Sequence, residues 1–359
     1  MAVRLTSGLF VFVIATAAAG AQTGNADASA SGDDSTRQRR QGAYVRRGTT
    51  AWFPRLRLDN DAYNFWIHPA HRSDEQYSNG VVGTLEALHG SWWGRPFGGN
   101  RPGCGRDTTA TGSCLTTQVF LGQSIYTPNL NRPPFSYPGW EAERPYAAWL
   151  YVGGAGRTVS PRRLRQIDVA LGVTGRPALG EPAQRIAHWM VRTYTTEARG
   201  WETQVGFQPG VQLGWRESLL AARLASGSLG FLDLVPSVGI TAGTIRTAAD
   251  AGARLRLGYN VSHPWDPRAW RRRAPLELFV TAGARGEYVV RDFSLDGTLM
   301  HNDRHVERVS AVREFDVGMG VRLHRLRLDW LATTRSREYT TGPARHVYST
   351  MAAAWEFVP

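Results

Sequence analysis

The sequence predicts an all-β protein: a transmembrane antiparallel β-barrel of about 12 strands with long extracellular loops. Three observations lead to this fold, namely an N-terminal export signal, apolar and polar residues that alternate with a period of two, and an even number of alternating segments. The 359 residues suffice for a large buried core. An aromatic content of 11% excludes a disordered chain, and the single continuous apolar run, at the N-terminus, excludes a helical membrane bundle.

The N-terminus predicts export. Residues 1–21 have the pattern of a signal peptide, with Arg4, the apolar run at 9–14 and the small-residue cleavage motif Ala19-Gly20-Ala21. Residues 22–48 are rich in Ser, Asp, Gly and Arg and predict a flexible leader. The remaining residues, 49–359, form the predicted barrel domain. We therefore expect a multi-pass protein of the bacterial outer membrane, and no binding of cytoplasmic nucleic acid.

Beyond residue 50 the apolar residues alternate with polar ones, as in strands whose two faces meet different surroundings. The phase of this alternation breaks at His324-Arg325, which predicts a tight turn between antiparallel strands. A large soluble β-sandwich is the structural alternative, but export, strand length and strand count favour the barrel. The predicted strands lie near residues 51–60, 77–89, 115–126, 145–156, 164–174, 203–219, 228–244, 249–262, 274–291, 308–323, 324–338 and 344–357.

Charge and cysteine content give two further expectations. All 42 basic residues are Arg and the net charge is +12, which favours anionic partners because guanidinium pairs bidentately with phosphate and carboxylate. A compositional bias from Lys to Arg is the simpler reason for the absence of Lys. Cys104 and Cys114 lie in a short loop without a nearby His, so a disulfide is expected after export, with two free thiols as the alternative.

If the N-terminus is periplasmic, the connections 61–76, 127–144 and 175–202 are the first three outward loops, where chemistry is expected. In the third loop Gln184 and His188 are four residues apart, so one face of a short helix would present both. Ile186 and Met190 are expected to anchor this helix from another face.

Five segments on these strands and loops recur in a known family. Over about residues 50–359 the chain resembles the outer-membrane lipid A 3′-O-deacylases. The resemblance rests on Asn60-Asp61, Tyr77-Ser78-Asn79-Gly80, Ile125-Tyr126-Thr127-Pro128, Arg144-Pro145-Tyr146-Ala147-Ala148-Trp149-Leu150 and the loop from Gly175 to His188.

The resemblance implies a calcium-dependent hydrolase that removes the 3′-linked acyloxyacyl group of lipid A. It marks Asn60, Asp61, Ser78 and His188, with Gln184 beside them, as the catalytic group. Asn60 and Asp61 are the expected calcium ligands. The family has a Lys in the third-strand loop that this chain lacks, and Arg132 is the nearest cation for the substrate or oxyanion role. The expected partners are lipopolysaccharide and outer-membrane lipids, and the chain is expected to be a monomer.

The same residues permit more than one mechanism and function. No Gly-x-Ser-x-Gly motif occurs, so a water activated by His188 is the favoured nucleophile, and Ser78 serves as oxyanion donor or as the nucleophile itself. Arg144, Arg176 and Arg185 are candidate clamps for lipid phosphates, with an ordinary solvated charge as the favoured alternative for each. The rival functions are a non-catalytic pore or lipopolysaccharide-binding barrel and an outer-membrane phospholipase.

Overall fold

The computed structural model describes residues 52–61, 76–88, 101–104, 112–128, 138–191, 200–226, 229–267 and 274–355. All described strands fall in the unit Gly48–Pro359. The signal peptide at 1–21 and the leader at 22–48 lie outside the described residues and stay predictions.

Twelve long antiparallel strands form a closed barrel, which confirms the predicted fold class. Each pairs with the next along the chain, except that β6 pairs with β8, and β13 closes the ring against β1. The five-residue β7 pairs only with β8, and we did not predict it because it is too short to show a period. The strands are β1 (Trp52–Asn60), β2 (Gln76–Ala87), β3 (Cys114–Thr127), β4 (Ala147–Val159), β5 (Arg163–Thr174), β6 (Pro209–Leu219), β7 (Ala222–Ser226), β8 (Leu229–Gly243), β9 (Arg246–Val261), β10 (Leu276–Asp292), β11 (Ala311–Leu323), β12 (Leu326–Ser336) and β13 (Arg345–Trp355).

The helices are short and lie in the connections. They are α1 (Gly180–Val191), α2 (Phe293–Asp296) and the 3-10 turns Trp140–Ala142, Arg176–Ala178 and Trp201–Thr203. Because residues 201–203 form such a turn, the sixth strand begins at Pro209 rather than at the predicted residue 203. None of the helices within the described ranges has the length and apolar character needed to cross a bilayer.

The two faces of the wall differ as the period-two pattern predicts. On β3 and β4 the exposed apolar side chains include Leu121 and Val152, which are paired across the two strands. Phe120 and Tyr151 lie on the opposite face and pack edge to face, with ring centroids 6.1 Å apart. The outward face is therefore apolar and the inward face carries rings and polar groups, as in a barrel that faces lipid outside.

Much of the Arg content is used inside the barrel. Arg216 pairs with Asp250 at 2.9 Å, and Arg254 pairs with Asp316 at 2.7 Å, in both cases through two nitrogens. In each pair the partners lie two strands apart, with one strand between them, so these ion pairs link strands along the inner face of the wall. The carboxylates of the protein itself are thus anionic partners for part of its Arg content, although the net charge of +12 remains.

The end of the barrel that carries the connections 61–76, 127–144 and 175–202, here called the outer end, is filled by a buried polar cluster. The fully buried Arg144 donates to Gln76 at 3.2 Å and to Ser294 at 2.9 Å, and lies 3.4 Å from Glu338. Although burial raises the pKa of Glu338, the nearby Arg335 and Arg144 outweigh it and lower that pKa to about 2. Glu338 is therefore charged at neutral pH. Because Arg144 is buried with partners inside the protein, both predicted roles for it, a solvated charge and a clamp for a lipid phosphate, are wrong.

The opposite end of the barrel contains the disulfide. Cys104 and Cys114 are bonded, which confirms the predicted loop clip, and both are buried. They pack with Val159, Leu220 and Trp265 in one hydrophobic cluster. Buried clusters of described side chains therefore lie near both ends of the barrel.

Candidate active site on the outward wall

A row of residues crosses the outward face of the wall near the outer end. Asn60, the last residue of β1, is opposite Asn79 of β2 on one side and Ser349 of β13 on the other. Asn79 is opposite Ile125 of β3, which is opposite Ala148 of β4. Alternation along β3 puts Ile125 on the same face as the exposed Leu121. Asn60 therefore lies on the lipid-facing side and not in the lumen.

The two aspartates beside Asn60 have different surroundings. Asp59 points inward and is fully buried, and it accepts hydrogen bonds from Arg57 at 2.6 Å, Tyr77 at 2.8 Å and Thr350 at 2.7 Å. Asp61 follows the end of β1 and is also fully buried. The contacts of Asp59 are those of a structural ion pair in the wall. Asp61 supplies the carboxylate next to Asn60 at the end of β1.

Ser78 occupies a β-bulge. Tyr77 of β2 is opposite Tyr126, whereas Asn79 is opposite Ile125, so Ser78 is the extra residue between two consecutive pairs. The bulge reverses the alternation, because Tyr77 bonds to the inward Asp59 while Asn79 shares the outward row. Bulges often re-aim side chains near active sites. The side chain of Ser78 itself is outside the described residues.

Gln184 and His188 lie on α1, as the four-residue spacing predicts. Glu181 in the first turn favours the helix start, where backbone N–H groups point outward, and it pairs with Arg185 at 2.7 Å. The first residue of the helix is Gly180. A Cβ at this position would lie 2.4 Å from the Trp201 ring and 2.6 Å from the Ala148 side chain, which is too close for any other residue. The helix can approach the wall this closely only with glycine at that position.

A small cluster fixes α1 to the outward wall. Gln184 is buried, and its Oε1 accepts a hydrogen bond of 2.8 Å from Trp201 Nε1. Trp201 packs against Tyr146 in a tilted arrangement with ring centroids 4.7 Å apart, and it also packs with Ile125, Ala148 and Ala178. The carbonyl of Ala178 accepts a further bond of 2.6 Å from Gln123 of β3. Since Ile125 and Ala148 belong to the outward row, α1 lies outside the barrel, at the level of Asn60.

The anchoring of α1 differs from the prediction. Ile186 is exposed, so the expectation that it anchors the helix is wrong; Ala183 and Gln184 contact the cluster instead. The side chain of Met190 is outside the described residues. Trp201 is the residue that sequence reasoning missed as a support of the site. The segment Gly200-Trp201-Glu202 stood out in the loop, but its link to Gln184 is a tertiary contact.

The structure brings Asn60, Gln184 and His188 to one face and one end of the barrel. His188 is half-buried on the same helix face as Gln184. Neighbouring strands are about 4.8 Å apart, so β1 with Asn60 lies about 10 Å from β3, on which α1 packs. Arg132 is outside the described residues, and its predicted role stays a prediction. Of the two other candidate clamps, Arg176 is exposed and Arg185 is already paired with Glu181.

The donor atoms near Asn60 are oxygens. Within the described ranges no group of three or more His, Cys, Asp and Glu side chains is arranged to hold a metal ion. Asp61 offers a carboxylate oxygen and Asn60 offers an amide oxygen. Oxygen donors of this kind suit calcium better than they suit zinc. Calcium also accepts backbone carbonyls, water and substrate oxygens as ligands. The chemistry of this donor pair fits the predicted calcium site.

Replacing Trp201 with Phe tests the support of α1. The substitution keeps a ring against Tyr146 but removes the donor to Gln184 Oε1, which leaves a buried amide oxygen without that bond at a cost of about 1–3 kcal/mol. We expect faster hydrogen–deuterium exchange of the α1 amides, measured by mass spectrometry of the detergent-solubilised barrel. Trp189→Phe is the matched control, because Trp189 is exposed on the same helix. Equal exchange in both variants would show that the Trp201 bond does not hold α1.

Comparisons with known proteins agree with this architecture. The model of one family, described as outer membrane protein LpxR, matches residues 9–357. Among solved structures, LpxR from Salmonella typhimurium aligns with a TM-score of 0.65 at 18% identity, covering 85% of this chain and 100% of that one. The β domain of the Bordetella autotransporter BrkA aligns with a TM-score of 0.42 at 12% identity, covering 86% and 100%. A search of curated protein sequences returns no significant match.

Proposed function

Because this chain belongs to the outer membrane protein LpxR family, we propose that it is a lipid A deacylase of the outer membrane, and specifically a calcium-dependent hydrolase of the 3′-linked acyloxyacyl group. The family match covers nearly the whole chain and bears out the resemblance described above. It also supports the outer membrane as the location. The acyl position, the role of calcium and the catalytic residues belong to the proposal.

The position of the candidate residues is the observation that carries this proposal. Asn60, Gln184 and α1 lie on the outward wall, where a membrane lipid can reach them by lateral diffusion. A pore would have its functional residues in the lumen. Here the inward faces hold ion pairs, and the outer end of the lumen is filled around Arg144. A substrate that is itself a lipid of the outer leaflet suits this geometry best.

The proposed reaction is hydrolysis of an ester by water. His188, as neutral imidazole, accepts a proton from a water molecule while the water oxygen bonds to the ester carbonyl carbon. The tetrahedral intermediate then expels the sugar oxygen, which receives that proton from His188 and becomes a hydroxyl group, and the acyloxyacyl acid is released. Gln184, held by Trp201, keeps the helix face of His188 against the wall. Ser78, at the bulge, is the proposed hydrogen-bond donor to the developing oxyanion, and Arg132 is the candidate cation for the same role.

Calcium bound by Asp61 and Asn60 would polarise the ester carbonyl. The protein's part is to supply hard oxygen donors at the end of β1, on the same side of the wall as α1. Asp59 does not compete for this role because Arg57, Tyr77 and Thr350 already occupy its oxygens.

Mass spectrometry of lipid A tests the proposed function. Cells that express the full chain should yield lipid A lighter by one acyloxyacyl group than lipid A from cells with the empty vector, when calcium is present. Fragmentation of the product should place the loss at the 3′ position. An unchanged spectrum, with the folded barrel present in the outer membrane, would overturn the deacylase proposal.

Two further measurements separate the rival functions. Purified protein offered phospholipid vesicles should release no fatty acid if lipid A is the substrate, whereas a phospholipase would do so. The protein in a planar bilayer should give no steady conductance, because ion pairs and the Arg144 cluster occupy the lumen. A stable conductance together with unchanged lipid A would favour the pore.

A further inference from the structure

Helix α1 has an apolar face that does not contact the barrel. Ile186 is 58% exposed and Trp189 is 71% exposed. They are three residues apart and therefore neighbours on one face of the helix, away from the buried Gln184. Leu179, directly before the helix, is 53% exposed. Burying a side chain of this size stabilises a protein by about 1.5–3 kcal/mol, so three of them in water are a substantial cost.

Leu179 is held outward by its backbone. Its φ of +56° is in the left-handed region, which is unfavourable for a residue with a side chain, and few other non-glycine residues in the described ranges share it. The carbonyl of Leu179 accepts the bond from Ala183 that begins α1, and its own N–H donates to the carbonyl of Arg176. The turn that starts the helix thus also presents an apolar side chain away from the wall.

The position of this face relates it to the lipid-facing wall. The loop that carries α1 covers two outward pairs on β3 and β4, namely Ile125 with Ala148 and Gln123 with Leu150. The next outward pair, Leu121 and Val152, is exposed. Two residues along a strand span about 7 Å. The part of the wall that the α1 loop covers therefore begins about 7 Å beyond the exposed pair, towards the outer end. The exposed face of α1 is continuous with the surface that contacts the bilayer.

The composition of the segment fits an interface between lipid and water. Trp189 is of the type enriched at membrane surfaces, because its ring is apolar and its N–H is polar. Arg176 and Arg185 are exposed beside the apolar face, and basic residues flank the apolar faces of helices that lie in the headgroup region. We propose that α1 is an interfacial helix whose Leu179, Ile186 and Trp189 side chains enter the outer leaflet among the lipid acyl chains.

This placement does not depend on the proposed reaction, because it rests on the barrel in the membrane and on exposed side chains. It gives the helix a role beyond that of carrying Gln184 and His188. With one face against the wall and the other in lipid, α1 would separate a strip of wall beside Asn60 from the bulk leaflet. A lipid would then reach that strip without leaving the membrane.

Fluorescence quenching by lipid tests the proposal. Both native cysteines are in the disulfide, so an introduced cysteine is the single thiol for labelling. We would label Ile186→Cys with an environment-sensitive fluorophore, in the full chain reconstituted into phospholipid vesicles with and without a lipid that carries a quencher high on its acyl chain. Val152→Cys on the lipid-facing wall is the positive control, and Glu141→Cys, exposed in the outer-end turn, is the water-exposed control.

We expect the label at 186 to shift to shorter wavelength and to be quenched as strongly as the label at 152, while the label at 141 does neither. A label at 186 that behaves like the one at 141 would overturn the proposal. A blue shift without quenching would also overturn it, because protein and not lipid would then cover the face. Trp189→Cys is the second variant, and heat-dependent gel migration checks that each labelled barrel is folded.

Discussion

Replacing His188 with Asn should reduce deacylation about 10²- to 10⁴-fold while the barrel stays folded. Asn retains a hydrogen-bonding side chain of moderate size but cannot take a proton from water near neutral pH. The fold should tolerate the change, because His188 is half-buried on α1, outside the strand ladder of the barrel. The rate is measured on purified lipid A in detergent micelles, with folding checked by heat-dependent gel migration.

The matched control is Arg185→Gln. Arg185 lies on the same helix and pairs only with the neighbouring Glu181 among the contacts described, so its loss should change the rate little. If His188 had a structural role only, the Asn variant would melt earlier and keep its specific activity. Near-normal turnover by a well-folded His188→Asn protein would therefore remove the general base from the mechanism.

Chelation of calcium should stop turnover, and added calcium should restore it. Metal polarisation of a carbonyl contributes several kcal/mol to transition-state stabilisation, so the expected loss is at least about 100-fold. Magnesium should restore less, because it demands stricter geometry and dehydrates reluctantly. The rate is measured on purified lipid A in micelles, which avoids the effect of chelators on intact outer membranes.

Two neighbouring aspartates make this prediction specific. Asp61→Asn should raise the calcium concentration required for turnover, because one charged ligand is lost. Asp59→Asn should instead lower the stability of the barrel and leave the calcium requirement unchanged, since Asp59 bonds inward to Arg57, Tyr77 and Thr350. Activity that is indifferent to a strong chelator would mean that the proposed metal role is wrong.

The strands and their faces could be predicted because they are local properties of the chain. A period of two follows from strand geometry alone, so the alternation located all twelve long strands, and the break at His324 located a turn. The spacing of Gln184 and His188 likewise placed both on one face of a helix. The cysteine pair was predicted from its compartment and its short loop.

The site depended on contacts that local patterns do not encode. The bulge at Ser78 reverses the faces of Tyr77 and Asn79, and it arises from pairing with β3, about 50 residues away by the register. Arg144 was predicted to be a solvated charge or a clamp for a lipid phosphate, but it is buried among Gln76, Ser294 and Glu338, which lie far apart along the chain. No local sequence pattern distinguishes a loop arginine that is exposed to solvent or lipid from one that is buried in the protein.

The sequence by itself determined the barrel, its strand faces and the helix that carries His188, because each depends on the order of neighbouring residues. Only the tertiary structure decided that Asp59 points into the lumen, that Trp201 holds Gln184 and that Ile186 faces away from the wall. The physical reason is that the repeating pattern of apolar and polar residues reveals only the presence of two different faces on an element. Which surface each face meets depends on packing between segments distant in sequence.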